Sequence, residues 1–250
     1  MYTVDINCDM GESFGRYVIG NDQDIIKYIS SANIACGLHA GDPAIMDETV
    51  KLAIKHHVKI GAHPGLPDIH GFGRRVMNIT PTEAYQWITY QIGALQSFVK
   101  INGGKLHHVK PHGALYNMAA KDKAIAVAIA EAMFQIDPTL TLYGPSNSEL
   151  TKAGEKIGLT VKHEVFVDRT YQDDGTLTPR TEKNALLTNK EEAINQALMM
   201  IKKQKVISVN GIGIPIKIDT LCIHGDGPYA LDFASTLYQH LKTEGIQLNK

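Results

Sequence analysis

The feature that most constrains this chain is an alternation of two periods. Short β-rich apolar runs near residues 3–8, 33–39, 58–63, 106–111, 139–144, 161–167 and 219–224 are separated by longer stretches of helical period. Helices are expected near 22–31, 121–136, 147–157, 190–204 and 228–244, and after Pro43 and Pro81. A strand followed by a helix before the next strand calls for a parallel sheet with right-handed crossovers. Local signals agree: Asp42-Pro43 is an N-cap followed by proline, Thr80-Pro81-Thr82-Glu83 adds a capping box, and Ser146-Asn147-Ser148-Glu149 repeats the box. After Pro81, Tyr85, Ile88, Ile92, Leu95 and Val99 form an apolar stripe, so this helix is expected to cover the sheet rather than join a site. Val206–Val209 and Ile214–Lys217 flank Asn210-Gly211-Ile212-Gly213 and predict a small hairpin within 206–218.

A closed barrel and an open doubly wound sheet both satisfy this pattern. The first strand is not followed by a dinucleotide-type glycine turn, and almost every strand closes in polar residues, which favours the barrel. The expectation is therefore one β/α-barrel domain over residues 1–250.

The strand ends carry the chemistry. The first runs through Asn7-Cys8-Asp9 to Glu12, the second reaches His39 and Asp42, and the third ends at His63. The fourth ends in Lys110-Pro111-His112, the sixth in Asp168-Arg169 and the seventh in His224-Gly225-Asp226. In a parallel barrel these ends share one rim, where active sites of the fold lie. Asp42 and Asp226 also read as helix caps, each standing before a proline or glycine-proline. Four histidines at equivalent strand ends, His39, His63, His112 and His224, are harder to ascribe to capping. His107-His108 straddles the two faces of one strand, so at most one of the pair can face the barrel interior.

Two connections, 64–80 and 168–188, exceed the usual βα length and are expected to fold over the pocket as lids. They bring Arg74, Arg75 and Arg169, whose planar donor forks suit a carboxylate or a phosphate. Asn7 and Tyr116 join them as candidates for holding substrate.

Charge narrows the partners. With 25 basic and 26 acidic residues the chain lacks the positive field that nucleic acid or an anionic membrane surface requires, and Lys202-Lys203-Gln204-Lys205 reads as a charged helix end. Three cysteines, Cys8, Cys36 and Cys222, make no disulfide framework and are expected as buried free thiols. The sequence opens directly on a strand-like pattern and holds no apolar stretch of the ~20 residues that span a bilayer, so a cytoplasmic protein is expected.

Taken together, Asp5–Glu12, Asn33–Pro43, Gly61–Gly65, Lys110–Asn117 and Cys222–Asp226 resemble the motifs of the LamB/YcsF family, in the family's order. That is the family of the A subunit of 5-oxoprolinase. The resemblance implies a seven-stranded parallel barrel of the glycoside hydrolase/deacetylase type. It implies a reaction too: 5-oxoproline, ATP and water giving glutamate, ADP and phosphate, with partner subunits B and C. One departure is visible at Thr181–Ala185, where the family tends to carry a Pro-Gly-Ala stretch after the arginine corresponding to Arg180.

On this reading Lys110 with Arg74 or Arg169 offsets phosphate or carboxylate charge, Asp9, Asp42 or Asp226 acts as base toward water, and His112 or His224 acts as acid toward the departing amine. No Gly-x4-Gly-Lys-Ser/Thr loop exists, so an ATP site is either unconventional or shared with a partner. Two other readings stay open. In one, a metal-dependent hydrolase such as a deacetylase binds a divalent ion through Asp9, His39, His63 and His112. In the other, a non-catalytic subunit captures the lactam while its partners do the chemistry.

Overall fold

A computed structural model describes residues 2–223, 225 and 230–249. Seven parallel strands close into a barrel: β1 (Thr3–Met10), β2 (Ser31–Ala35), β3 (Lys59–His63), β4 (Leu106–Val109), β5 (Thr141–Pro145), β6 (Thr160–Phe166) and, further along the chain, Thr220–Ile223. Between β6 and that last strand lies an antiparallel hairpin of β7 (Lys205–Ile207) and β8 (Gly213–Pro215), which makes Thr220–Ile223 β9. Closure is the pairing of β9 with both β6 and β1, in register Asp5 to Thr220 and Glu164 to Thr220. A two-residue strand β10 (Gln247–Leu248) extends β1 at Thr3 and Val4, below the point where β9 joins it.

Helices α2 (Pro43–Lys55), α3 (Pro81–Ile101), α5 (Lys123–Ile136), α6 (Glu149–Ile157), α7 (Lys190–Lys203) and α8 (Ala230–Thr243) surround the strands, with two short helices, α1 (Asp22–Ile25) and α4 (Gly113–Ala119), between them. The caps form as the sequence predicts. Asp42 accepts from the amides of Ala44 and Ile45, at 2.9 and 3.0 Å, with Pro43 opening α2. Thr80 and Glu83 exchange both capping-box bonds at the start of α3. On α3 the buried stripe is Ala84, Ile88, Ile92, Leu95 and Val99, where cutting one of the large aliphatics to alanine costs about 2–5 kcal/mol.

Three sequence expectations need correction. The helix expected over 22–31 stops at Ile25 and passes through a 3₁₀ turn, because Ser30 and Ser31 are drawn inward to hydrogen-bond Asp5. The strand expected over 33–39 runs from Ser31 to Ala35, so His39 sits on the following loop. Helix α4 and strand β10 have no counterpart in the sequence pattern, the first because Gly113 opens it at φ +52° and the second because it is only two residues long.

Alternation along the strands divides the core in two. Outward-facing Val4, Ile6, Cys8 and Met10 of β1 pack in the apolar layer beneath the helices. The opposite face points Asp5, Asn7 and Asp9 into the lumen, where they meet Ser31 and Asn33 of β2, His108 and Lys110 at β4, Tyr143 of β5, Glu164 of β6 and Thr220 and Cys222 of β9. The lumen is therefore polar and almost wholly dry, and each of its hydrogen-bonding groups needs a protein partner. All three cysteines are buried free thiols, as expected.

Candidate active site

At the carboxyl ends of the strands the lumen opens into a cavity of about 930 Å³, near the upper end of the roughly 300–1,000 Å³ usual for small-molecule sites. Asp9, His63, Lys110, His112 and Glu164 line it, with Arg74, Arg169 and Arg180 around the mouth. Both long connections supply walls: Arg74 and Val76 from the first, Arg169, Tyr171 and residues 174–181 from the second.

Lys110 organises the floor. Its ammonium lies 3.0 Å from Asp9 Oδ1, 2.8 Å from Glu164 Oε1, 3.1 Å from Asn7 Oδ1 and 3.2 Å from Cys222 Sγ. Burial works against its charge, but Asp9, Cys222 and Glu164 outweigh burial and hold its pKa well above the usual lysine value. Burial pushes the Cys222 thiol well up, so Lys110 faces a thiol and two carboxylates. The second oxygen of Glu164 accepts from the Tyr116 hydroxyl, whose pKa burial and Glu164 both raise.

Beside this ion cluster stands a group of imidazoles. Oxygen and nitrogen atoms of Glu12, His39, His63 and His112, all buried, lie within 4.8 Å of one another. Glu12 Oε1 is 3.6 Å from His39 Nε2 and 3.7 Å from His112 Nδ1, while His63 Nε2 is 3.3 Å from Asp9 Oδ2. The rings of His39 and His112 stack at 3.8 Å. This close packing depends on Gly65, where a Cβ would stand 2.4 Å from His39 Nδ1. Gln91 of α3 pins the Gly65 peptide, accepting from its N–H and donating to its C=O, both at 2.9 Å. Helix α3 thus supports the site as well as covering the sheet.

The outer bonds of two rings fix their tautomers. His63 Nδ1 contacts the Lys110 carbonyl at 2.7 Å and His112 Nε2 the Phe72 carbonyl at 2.8 Å, and a carbonyl only accepts, so both of these nitrogens carry protons. The inner nitrogens, His63 Nε2 and His112 Nδ1, then face each other at 2.9 Å as two lone pairs when both rings are neutral. Burial, then the neighbouring His63, lowers the His112 pKa well below that of free imidazole, and burial with its neighbours does the same to His39. Neither His39 nitrogen makes a hydrogen bond among the described residues. Its three imidazoles and a carboxylate are a donor set that can hold a divalent metal.

Of the residues singled out in the sequence, the structure gathers Asn7, Asp9, Glu12, His39, His63, Lys110, His112 and Tyr116, with Arg74 and Arg169 on the cavity wall. Arg169 is also a structural clamp, donating to the carbonyls of Ala185 and Thr178 at 3.2 and 2.6 Å. Asp42 caps α2 and accepts from Gly15 N, Arg75 pairs with Asp68, and Asp168 follows β6 without lining the cavity. His224 and Asp226 lie outside the described residues. Glu164, Asn33 and Gln91 escape sequence reasoning, and of the pair His107-His108 it is His108 that faces the barrel interior. The signal that marks the lumen residues is parity: Asp5-Asn7-Asp9, Ser31-Asn33 and His108-Lys110 repeat polar types at every second position.

The profile of the LamB/YcsF family matches residues 4–250. The chain is 57% identical over 248 residues to the 5-oxoprolinase A subunit of Brevibacillus brevis, covering 99% of this chain and 98% of that protein. It is 56% identical to the protein of the same name in Bacillus subtilis, covering 99% and 96%. Among solved structures it superposes on a lactam utilization protein from Thermus thermophilus with a TM-score of 0.93 and 43% identity, over 98% of each chain. With its seven-stranded parallel barrel and a match running from residue 4 to the last residue, the chain belongs to the LamB/YcsF family.

Proposed function

We propose that this chain is the component of a cytoplasmic 5-oxoprolinase that binds the lactam and opens its ring in an ATP-coupled reaction, working with partner subunits B and C. The observation that carries this reading is the buried Lys110, paired with Asp9 and Glu164 at the floor of a cavity rimmed by arginines. High identity to relatives named as the A subunit of 5-oxoprolinase supports the substrate and the multi-subunit setting.

A five-membered lactam is a resonance-stabilised amide, so both its carbonyl and the attacking water need activation. Transfer of the ATP γ-phosphoryl group to the carbonyl oxygen, with ADP leaving, would turn that oxygen into a leaving group. Lys110, with Arg74 at the cavity wall, offsets the negative charge that gathers there. Asp9 takes a proton from water as it adds to the carbon, a proton reaches the ring nitrogen by way of His112 as the C–N bond breaks, and the acyl phosphate so formed is cleaved by a second water to glutamate and phosphate. Asp9→Asn and His112→Ala variants assembled with subunits B and C should lose glutamate formation, and near wild-type turnover in both would overturn the roles. Calorimetry with 5-oxoproline on the isolated chain, followed by an ATPase assay with and without the partners, separates a catalytic component from one that only captures the lactam, since binding with turnover independent of Asp9 marks the passive role.

One observation favours a metal as well. His39, whose ring nitrogens make no hydrogen bond among the described residues, and the facing nitrogens of His63 and His112 suit a divalent ion completed by Glu12. When bound, such an ion would act as a Lewis acid toward a carbonyl or phosphoryl oxygen. Titration calorimetry with Zn²⁺ and Mn²⁺ on wild type and His39→Ala checks this, and equal binding by both proteins would remove the metal from the site.

A further inference from the structure

Below the rim, one hydrogen-bonded path leads from β4 up to Asp9, and the chemistry of its ends dictates its direction. The Lys110 ammonium can only donate, so the Asn7 atom 3.1 Å away is its carbonyl oxygen. A carboxylate paired with that ammonium can only accept, so the Asn33 atom 2.9 Å from Asp9 Oδ1 is its amide nitrogen, which also donates to Asn7 Oδ1 at 2.8 Å. Asn33 must then turn its oxygen downward, where His108 Nε2 lies 2.9 Å away. His108 therefore carries its proton on Nε2, and its Nδ1 accepts from the Nδ1–H of His107 at 3.1 Å. Burial, followed by nearby cationic groups, lowers the pKa of both rings, His107 to about 4, so both remain neutral and each has one proton to place.

The fold reserves space for this ring. His108 is fully buried, stacks on Tyr143 at 4.1 Å, and occupies the volume that a side chain at position 61 would need, since a Cβ on Gly61 would stand 2.1 Å from His108 Nε2. A purely space-filling ring there would leave Asn33 Oδ1 buried without a donor, so the amide would lose the partner that holds its oxygen away from Asp9. Rotation would present its oxygen to Asp9 and repel the carboxylate.

We propose that His108 is a positioning residue, which locks the Asn33 amide so that its nitrogen donates to Asp9 and holds it in place beside Lys110. The kinetic part rests on the reading of Asp9 given above, whereas the structural part does not. Long-range ¹H–¹⁵N spectra of the full chain at neutral pH should show His108 as the Nε2–H tautomer, and an Nδ1–H tautomer would overturn the proposal. In the complex reconstituted with subunits B and C, His108→Phe keeps the ring stack and removes the donor. It should lower kcat roughly tenfold or more with KM within about threefold. His108→Gln, whose amide nitrogen can replace Nε2, should recover most of that loss. In an Asn33→Ala background His108→Phe should add little, because its route to Asp9 is already gone. Additive losses, or a glutamine variant no better than phenylalanine, would show that His108 acts only through packing. If wild type forms no glutamate, the proposed function falls and the tautomer alone decides the role of His108. The same measurement decides it if the phenylalanine variant does not fold.

Discussion

Two layers of one lumen, built from the same strands by the same alternation, end their hydrogen bonds in opposite ways. In the lower layer Asp5 accepts from four hydroxyls: Ser30 and Ser31 at 2.7 Å each, Thr220 at 2.6 Å and Tyr143 at 3.2 Å. In the upper layer His39 has no hydrogen bond on either nitrogen among the described residues, and His63 Nε2 and His112 Nδ1 face each other at 2.9 Å. A buried polar group without a partner costs about 1–3 kcal/mol, so its retention calls for a functional explanation. The saturated layer braces the barrel, and the unsaturated one carries the donor set that could hold a metal.

Single substitutions can break this contrast. The largest effect is expected for His63→Ala in the upper layer, with turnover by the reconstituted complex falling roughly 10²–10⁴-fold and a melting temperature close to wild type. A collapse of stability instead would make the upper layer structural. In the lower layer Asp5→Ala strands four buried hydroxyls and should destabilise the chain by about 3–5 kcal/mol in urea unfolding, with turnover per folded molecule kept. Lost turnover at unchanged stability would erase the distinction.

Gly61→Ala tests the joint between the layers. The new methyl would collide with His108, so about 1–3 kcal/mol of stability should be lost together with part of kcat. The smallest effect concerns Asp22, which holds Gly11 N at 2.8 Å just past β1 and whose pKa burial raises to about 6. A carboxyl with a folded pKa above its unfolded value of 3.8 favours folding at low pH, and that contribution fades as pH rises toward about 6. Asp22→Asn keeps the acceptor without the charge, so it should stabilise the chain by about 1–2 kcal/mol at pH 8 and by almost nothing at pH 3. Equal gains at both pH values would refute the assignment of that shift to Asp22.

Legibility follows the range over which each force acts. Strands, most helices and the caps at Asp42 and Thr80 are readable because period and capping operate within a few residues. Asp9, His63, Lys110 and His112 are readable as strand-end residues, since the barrel collects those ends on one rim. His39 reads as a strand end and stands instead on a loop, yet reaches the same cluster because Gly65 lets its ring pack in. Asp42 shows the limit: its position resembles that of a catalytic carboxylate, but the amides of Ala44 and Ile45 take up its side chain. Asn33 is obscured because an apolar run with one polar residue reads first as a buried strand, and Glu164 because it stands among exposed-looking polar neighbours in β6.

The sequence alone determined the alternation of strands and helices, the parallel pairing it calls for and the stock of side chains at the strand ends, because these depend on neighbours in the chain. Only the tertiary structure decided which of those side chains meet. The pairing of β1 with β9 sets Asp5 and Asn7 beside Thr220 and Lys110 beside Cys222, and it turns the inner face of each strand into one continuous dry lumen. Contacts between residues so far apart arise from barrel closure and strand register, which no local pattern encodes.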